Sequence, residues 1–412
     1  MKFPLLIIFV VSLFTHVLFF GQPKEVVFDE VYTARFISSY SKGEYYFDLH
    51  PPLAKLMGYG VGEVLGIDYE SLDFGSIGNT LSEQVVSLRI LPLIAGILLP
   101  IVIYLICINL NISKTSSLVA GLLICLENSL IVQSRFILFD VIMLFFGFLS
   151  VLLYLKYRKD ENKYCLLFSA LSVSLGFSIK WTALAFVLLI LLLEIQNKIG
   201  FKKFVKFTSV YSIVGLLAYL GIFYVHFAFF NGIEGSFLHN FIVLNIEMLR
   251  SSTTMTATHP YSSLWFTWPI MLRPLFYWQN IEQTRFIYLL GNPFIYWSGI
   301  LSILYLSTLI LFRKIKDNTS TFIVMGFIVN FLTFIFIGRV MFLYHYEAAL
   351  IFAIIAIAFI FDSIKNEKYR KITVLVVVGL SLTAFTYFSP LTYGLELNMN
   401  QLNDRMWLSS WR

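Results

Sequence analysis

The chain carries too little charge to dissolve as an ordinary globular domain. Asp, Glu, Lys and Arg supply 13% of its 412 residues, against 58% hydrophobic residues and a mean hydropathy of +0.80. That balance belongs to an integral membrane protein. Cysteine is nearly absent: Cys107, Cys125 and Cys165 lie within apolar runs and read as packing residues, giving neither a disulfide framework nor a metal cluster. There is no GxGxxG run, no GxxxxGK run and no polar segment large enough to hold a nucleotide, which excludes a soluble activated donor. The net charge of +6 has no soluble basic domain to reside in, so it does not mark a nucleic-acid partner.

What is present is apolar length. Runs of roughly 17 to 25 residues suit a membrane crossing. They can be read at 3–21, 86–108, 115–133, 136–155, 164–180, 182–196, 208–230, 293–312, 321–338, 344–361 and 372–388, eleven in all, two of them short. The first reads as an uncleaved helix, because no small-x-small site follows it. Basic residues of short loops stay on the cytoplasmic side. Lys2, Lys114, Lys156 to Lys163, Lys198 to Lys206, Arg313 to Lys316 and Lys365 to Lys371 therefore lie inside, with the N-terminus. The long segments 22–85 and 231–292 and the tail 389–412 fall outside, on one single transmembrane domain over 1–412. The sequons at Asn111 and Asn318 lie in inside loops and are not expected to carry glycans.

Ionisable residues at membrane depth are costly, by about 2.5 to 3.5 kcal/mol near the centre, and mark function or pairing. Here Arg89, Glu127, Arg135, Asp140, Lys180 and Arg339 all map to the outer leaflet, and the six histidines fall in the outer half or outside. Arg135 and Asp140 have the spacing of an ion pair across a helix start. Arg89, Arg339 and His345 would serve a phosphate arriving at that depth in a lipid.

In the first outer segment, Asp29-Glu30 opens a short helix over 30–41, and Asp29 has a second role open to it as the N-cap. His50-Pro51-Pro52 then leads into a helix whose Leu53, Leu56, Met57, Val61, Val64 and Leu65 form a stripe, with Lys55 and Glu63 off it. That pattern fits a helix lying on the membrane surface. A carboxylate there can meet a hydroxyl from the water while cations meet a lipid phosphate.

These motifs resemble one family along nearly the whole chain. They are Phe28-Asp29-Glu30-Val31, His50-Pro51-Pro52-Leu53-Ala54-Lys55, Glu127-Asn128-Ser129, Gln133-Ser134-Arg135 through Asp140 and Ser178-Ile179-Lys180-Trp181-Thr182. His259-Pro260-Tyr261, Trp268 through Arg273-Pro274, Gly291-Asn292-Pro293, Leu343-Tyr344-His345-Tyr346 and Arg405-Met406-Trp407-Leu408 complete the set. The chain is similar to the protein O-mannosyltransferases, which are GT-C membrane glycosyltransferases. The resemblance implies an all-α polytopic fold of about eleven transmembrane helices, with surface helices in the first outer loop. It implies inverting transfer of mannose from a polyprenyl (dolichyl-type) phosphate to Ser or Thr of exported proteins. Asp29 and Glu30 would be catalytic, and Arg89, Arg339, His345 and Tyr346 would meet the donor phosphate. His50, Lys55, Glu127, Arg135, Asp140, Lys180 and Arg273 would support them, Arg273 as a loop anchor.

Segment 231–292 has no room for the β-trefoil domain of eukaryotic relatives, which points to a short prokaryotic type in the plasma membrane. Glu127 stands where the family has Asp, and Val141 where it has Pro. No cofactor and no metal are expected, since no tight ligand spacing occurs. The partners expected are the lipid-linked donor, the protein acceptor and membrane lipid, with a dimer left open. Two alternatives stand: a GT-C enzyme for another sugar or acceptor, such as aminoarabinose to a glycolipid, or a transporter. The second lacks the repeated halves and midplane charges that carriers use.

Overall fold

The computed structural model describes residues 2–69, 74–198, 200–254, 258–315 and 317–412. Lys316, and residues 70–73 and 255–257 of the two long loops, lie outside the described residues. The chain is a helical bundle. Its apolar helices are α1 (Lys2–Val17), then, after α2 (Glu30–Lys42) and α3 (Leu53–Leu65), α4 (Glu83–Asn109), α5 (Lys114–Cys125), α6 (Asn128–Arg135), α7 (Asp140–Asp160), α8 (Lys163–Phe177), α9 (Trp181–Gln196) and α10 (Phe201–Ala228). Helix α11 (Phe237–Thr254) and strands β1 (Leu275–Gln279) and β2 (Phe286–Leu289) belong to the second long loop. Then come α12 (Pro293–Leu311), α13 (Asn318–Phe336), α14 (Leu343–Ser363), α15 (Glu367–Tyr393) and α16 (Met399–Arg405).

Each of the eleven apolar runs is helical, but they differ in length. Among the described residues seven helices are long and apolar enough to cross a membrane, or eight if α5 and α6 form one span bent by 55°. Helices α1, α8 and α9 are shorter. The bend has a local cause. Glu127 leaves the helix with extended backbone, and its carboxylate accepts the Ser129 amide at 3.0 Å, capping α6. It also accepts the Asn292 amide at 3.0 Å, which ties the broken span to the start of α12.

Helix α14 is the axis of the bundle: Ala349 to Ala356 are fully buried, while α10 and α15 present apolar side chains outward along most of their length. This is the gradient expected of a protein dissolved in hydrocarbon, where the outside stays apolar. The protein is a multi-pass integral membrane protein.

The surface helix α3 sits the other way round from a soluble amphipathic helix. Its buried face is Ala54, Lys55, Gly58 and Gly62, while Val64 and Leu65 of the apolar stripe are exposed. Lys55, placed off the stripe by its spacing, is therefore 2% exposed. Small residues let the backbone approach its neighbours, as in helix pairs within membranes. A Cβ at Gly62 would fall 1.6 Å from the Tyr69 hydroxyl, and one at Gly58 2.6 Å from Ile37.

An all-α reading misses one element. Leu275–Gln279 and Phe286–Leu289 form an antiparallel hairpin with an irregularity between Phe276 and Trp278. Neither strand alternates in burial, because the hairpin is covered on both faces and its aromatic-rich sequence looks like any membrane-edge segment.

Overpacking of about 1–3 kcal/mol is expected from Gly62→Ala. At Gly60 an added methyl would have nothing within 4 Å, so Gly60→Ala should be neutral or slightly stabilising. Thermal unfolding of both variants in detergent checks the contrast; equal midpoints would contradict the packing assigned to α3.

Candidate active site

The site is assembled where α2 starts, because a buried ion pair fixes that start. Glu30 and Arg89 are both 0% exposed. Glu30 Oε1 accepts Arg89 Nε at 2.8 Å and the Ile137 amide at 2.8 Å; Oε2 accepts Arg89 Nη2 at 2.7 Å and the Val27 amide at 2.9 Å. Arg89 also donates to the carbonyls of Pro23 and Glu25, at 2.7 and 2.8 Å, and its guanidinium lies 4.9 Å from the centre of the Phe136 ring. A buried pair is tolerable only when its remaining donors and acceptors are met, as they are here.

This geometry corrects two expectations. Every Arg89 nitrogen is already engaged and the side chain is sealed from the cavity, so Arg89 does not meet a phosphate. Both Glu30 oxygens are likewise taken, so Glu30 does not meet a hydroxyl. The pair is scaffold. A third correction concerns Tyr346, which is fully buried against Tyr296, Phe327 and Phe331 and does not line the cavity shared by Lys180 and Arg339. A fourth concerns Arg135. It donates to the carbonyls of Leu18 and Phe19 at 2.5 and 2.6 Å, and Asp140 pairs with Lys180 instead.

Asp29 is held from both sides. Glu30 is pinned by its four hydrogen bonds, and Phe28 adopts φ +48°, which a bulky residue seldom does. The Phe28 ring stacks on Tyr277 at 4.3 Å and 8°. Strain of this kind persists only where the surroundings over-determine it, and it clusters at functional sites. Between them the Asp29 carboxylate is half-buried and makes no hydrogen bond among the described residues; it does not cap α2. Burial pushes its pKa up to about 6, opposed by Lys180, while Asp140 and Asp48 add to the rise and Arg339 works against it.

Asp29 is not itself in the lining of the nearest cavity, of about 310 Å³, but it feels the charges of Lys180, Asp140 and Arg339 that line it. Much of the cavity's wall is apolar, including Met143 and Leu144 of α7, Phe186 of α9, Phe334 of α13 and Ile337 just after it, with Leu249, Ser252 and Thr253 of α11 along one side. Its titratable lining is His50, Asp140, Lys180, Arg339, Tyr344 and His345. Lys180 Nζ donates to both Asp140 oxygens at 2.7 and 2.8 Å and lies 5.2 Å from the Tyr344 ring centre. Arg339, in the turn between α13 and α14, is half-buried. The His345 ring stacks between Tyr344 at 4.3 Å and Trp268 at 5.8 Å, with Nδ1 3.0 Å from the Phe342 carbonyl.

His50 is presented by a clamp beneath it. Lys55 Nζ donates to Asp48 and, at 2.8 Å, to the His50 carbonyl. Arg273 is remote from the cavity; it donates to the carbonyls of Ser410 and Pro260, joining the long loop to the tail. The α11 contribution escapes reasoning from sequence, whereas Tyr344 lies in the Leu343-Tyr344-His345 run and Tyr277 in the aromatic stretch of the second long loop. Among the described residues no three His, Cys, Asp or Glu side chains converge to hold a metal ion.

The helical membrane bundle has a GT-C-type fold. Residues 6–241 match the family model described as dolichyl-phosphate-mannose-protein mannosyltransferase, and 237–411 that of the C-terminal four TMM region of protein-O-mannosyltransferase. The chain belongs to the protein O-mannosyltransferase family. It is 32% identical over 245 residues to protein O-mannosyl-transferase 1 of Danio rerio, covering 54% of this chain and 33% of that protein. It is 31% identical over 226 residues to dolichyl-phosphate-mannose--protein mannosyltransferase 1 of Saccharomyces cerevisiae, covering 50% and 27%. These alignments span about a third or less of the relatives' length. In fold it is similar to the S. cerevisiae protein O-mannosyltransferase Pmt1-Pmt2 complex bound to the sugar donor, with a TM-score of 0.91 at 18% identity over 100% of this chain and 92% of that one. It is also similar to ArnT from Cupriavidus metallidurans bound to undecaprenyl phosphate, at 0.60, 14% identity, 90% and 62%.

Removing one partner of a buried ion pair costs about 3–5 kcal/mol, because the other charge is stranded. Arg89→Ala and Glu30→Ala should both lower the unfolding midpoint in detergent strongly, whereas Arg339→Ala should not. A cavity cation as stabilising as Arg89 would contradict the division between scaffold and cavity charges.

Proposed function

We propose that this chain transfers mannose from a polyprenyl phosphate to Ser or Thr hydroxyls of proteins, with inversion at the sugar carbon. The single observation that carries the reading is the free Asp29 carboxylate within electrostatic reach of Lys180 and Arg339, which line a cavity with an apolar wall. Family membership supports the sugar and the carrier. In this reading the lipid tail lies against the apolar wall and the phosphate meets Arg339, with Lys180, His50 and His345 around it. Asp29 takes the proton of the acceptor hydroxyl, whose oxygen bonds to the anomeric carbon as the bond from that carbon to the phosphate oxygen breaks. Positive groups fixed where charge develops lower the barrier without reorganising. Glu30, Arg89 and the Lys55 clamp position these groups.

The basic loops support an orientation with the N-terminus inside and the site at the outer face. The length of 231–292, filled by α11 and the hairpin, supports a short prokaryotic type acting at the plasma membrane.

Transfer from a radiolabelled polyprenyl-phosphate mannose to a Ser/Thr peptide tests the proposal. Asp29→Asn should lower the rate by about 10²–10⁴-fold, the range of a lost general base. Arg339→Gln should raise the Michaelis constant for the donor. Wild-type protein inert toward authentic donor would sink the reading. The pH profile supplies a further check. Burial raises the Asp29 pKa, so the reactive carboxylate is lost as pH falls through about 6. The specificity constant should decline below that pH by about tenfold per unit, and a limb near pH 4 would contradict the buried environment.

A further inference from the structure

The proposed reaction, on which this inference rests, changes the charge inside the cavity. The donor is a phosphodiester and carries one negative charge; the product is a phosphate monoester, whose second pKa of about 6 makes it a dianion at neutral pH. The acceptor proton goes to Asp29, and Asp29 must release it to water before the next turnover. The cavity is then left with one more negative charge than it began with.

Few groups can answer that charge. Lys180 and Arg339 already carry theirs. Asp140 is committed to Lys180 through both oxygens. The histidines alone can gain a positive charge, and they differ. His345 is stacked between two aromatic rings with Nδ1 against the Phe342 backbone. The His50 ring lines the cavity, half-buried, and neither of its nitrogens has a hydrogen-bond partner among the described residues. Only its backbone carbonyl is held, by Lys55.

We propose that His50 takes up one proton from water when the polyprenyl monophosphate product fills the cavity, so that an imidazolium faces the second negative charge. The bonds made and broken balance: one proton leaves the acceptor oxygen for Asp29 and then water, and one proton passes from water to a His50 ring nitrogen. Product release returns it. The groups facing His50 explain why it starts neutral. Burial first, then Lys180, Arg339, Lys55 and His345, hold its pKa well below the usual range. On its far side Asp48 is neutralised by Lys55, and His226 and Tyr46 are bound to Tyr40. Asp140 is answered by Lys180. A dianion is the one addition that reverses this balance. His50 thereby becomes a group that distinguishes product from donor, since the monoanionic diester gives much less reason to protonate it.

The test uses the full chain in lipid nanodiscs with farnesyl phosphate as probe. Calorimetry at pH 7.5 in two buffers of different ionisation enthalpy counts protons taken up on binding. Wild type should take up about one, and its affinity should fall by about tenfold per pH unit above pH 7.5, the signature of one linked proton. His50→Gln should bind with no uptake and a flat dependence, and His345→Gln should keep the uptake. Uptake unchanged in His50→Gln, or lost only in His345→Gln, overturns the proposal. If His50→Gln does not fold, ¹⁵N-histidine spectra of wild type decide: the His50 resonances should move to imidazolium positions on adding farnesyl phosphate, and their staying neutral overturns it. Wild type that fails to bind farnesyl phosphate at all would instead remove the donor-cavity reading itself.

Discussion

The Glu30–Arg89 pair is the interaction on which the site depends. It joins the first turn of α2, the second turn of α4 and the turn between α6 and α7, three segments separated by dozens of residues. Four hydrogen bonds end on one carboxylate. In a region of low dielectric, two charges so placed either satisfy each other fully or destabilise the fold. The consequence is rigidity at the residue next door. Asp29 is positioned by a neighbour that cannot move, and on its other side by Phe28, whose left-handed backbone is held down by the stacked Tyr277 ring. Two adjacent acids thus divide the labour, one structural and one chemically free.

How much of this the sequence discloses depends on the kind of signal. Apolar runs locate all eleven bundle segments, because the bilayer demands a long uninterrupted pattern. Of the charges in the spans, Asp140, Lys180 and Arg339 line one cavity, and ionisable groups at that depth need a reason to persist. Roles are less legible. Arg89 and Arg339 look alike in sequence, and only three-dimensional placement shows that one is consumed by a carboxylate and two backbone carbonyls while the other lines a cavity. Arg135 and Asp140 have the spacing of an ion pair, yet Lys180, forty residues on, takes Asp140 instead. Lys55 falls off the apolar stripe and is nonetheless buried, since in a membrane the small-residue face of α3 turns inward. The hairpin gives no period-2 signal because both its faces are covered.

The cavity's two cations differ in a way that bears on the chemistry. Lys180 is held by both oxygens of Asp140 and by the face of Tyr344, so its charge is largely answered before a phosphate arrives. Arg339 lines the same space without a carboxylate partner among the described residues. Under the proposed reading a phosphate therefore meets Arg339 first, at little electrostatic cost, while engagement of Lys180 requires loosening its pair with Asp140. That exchange becomes favourable only as the phosphate gains charge, which is the moment at which the bond to the sugar breaks. An interaction that strengthens along the reaction coordinate accelerates the chemical step, whereas one made equally with the substrate only tightens binding. On that reading the Asp140–Lys180 pair would withhold part of the cavity's positive charge from the ground state and reserve it for the departing group.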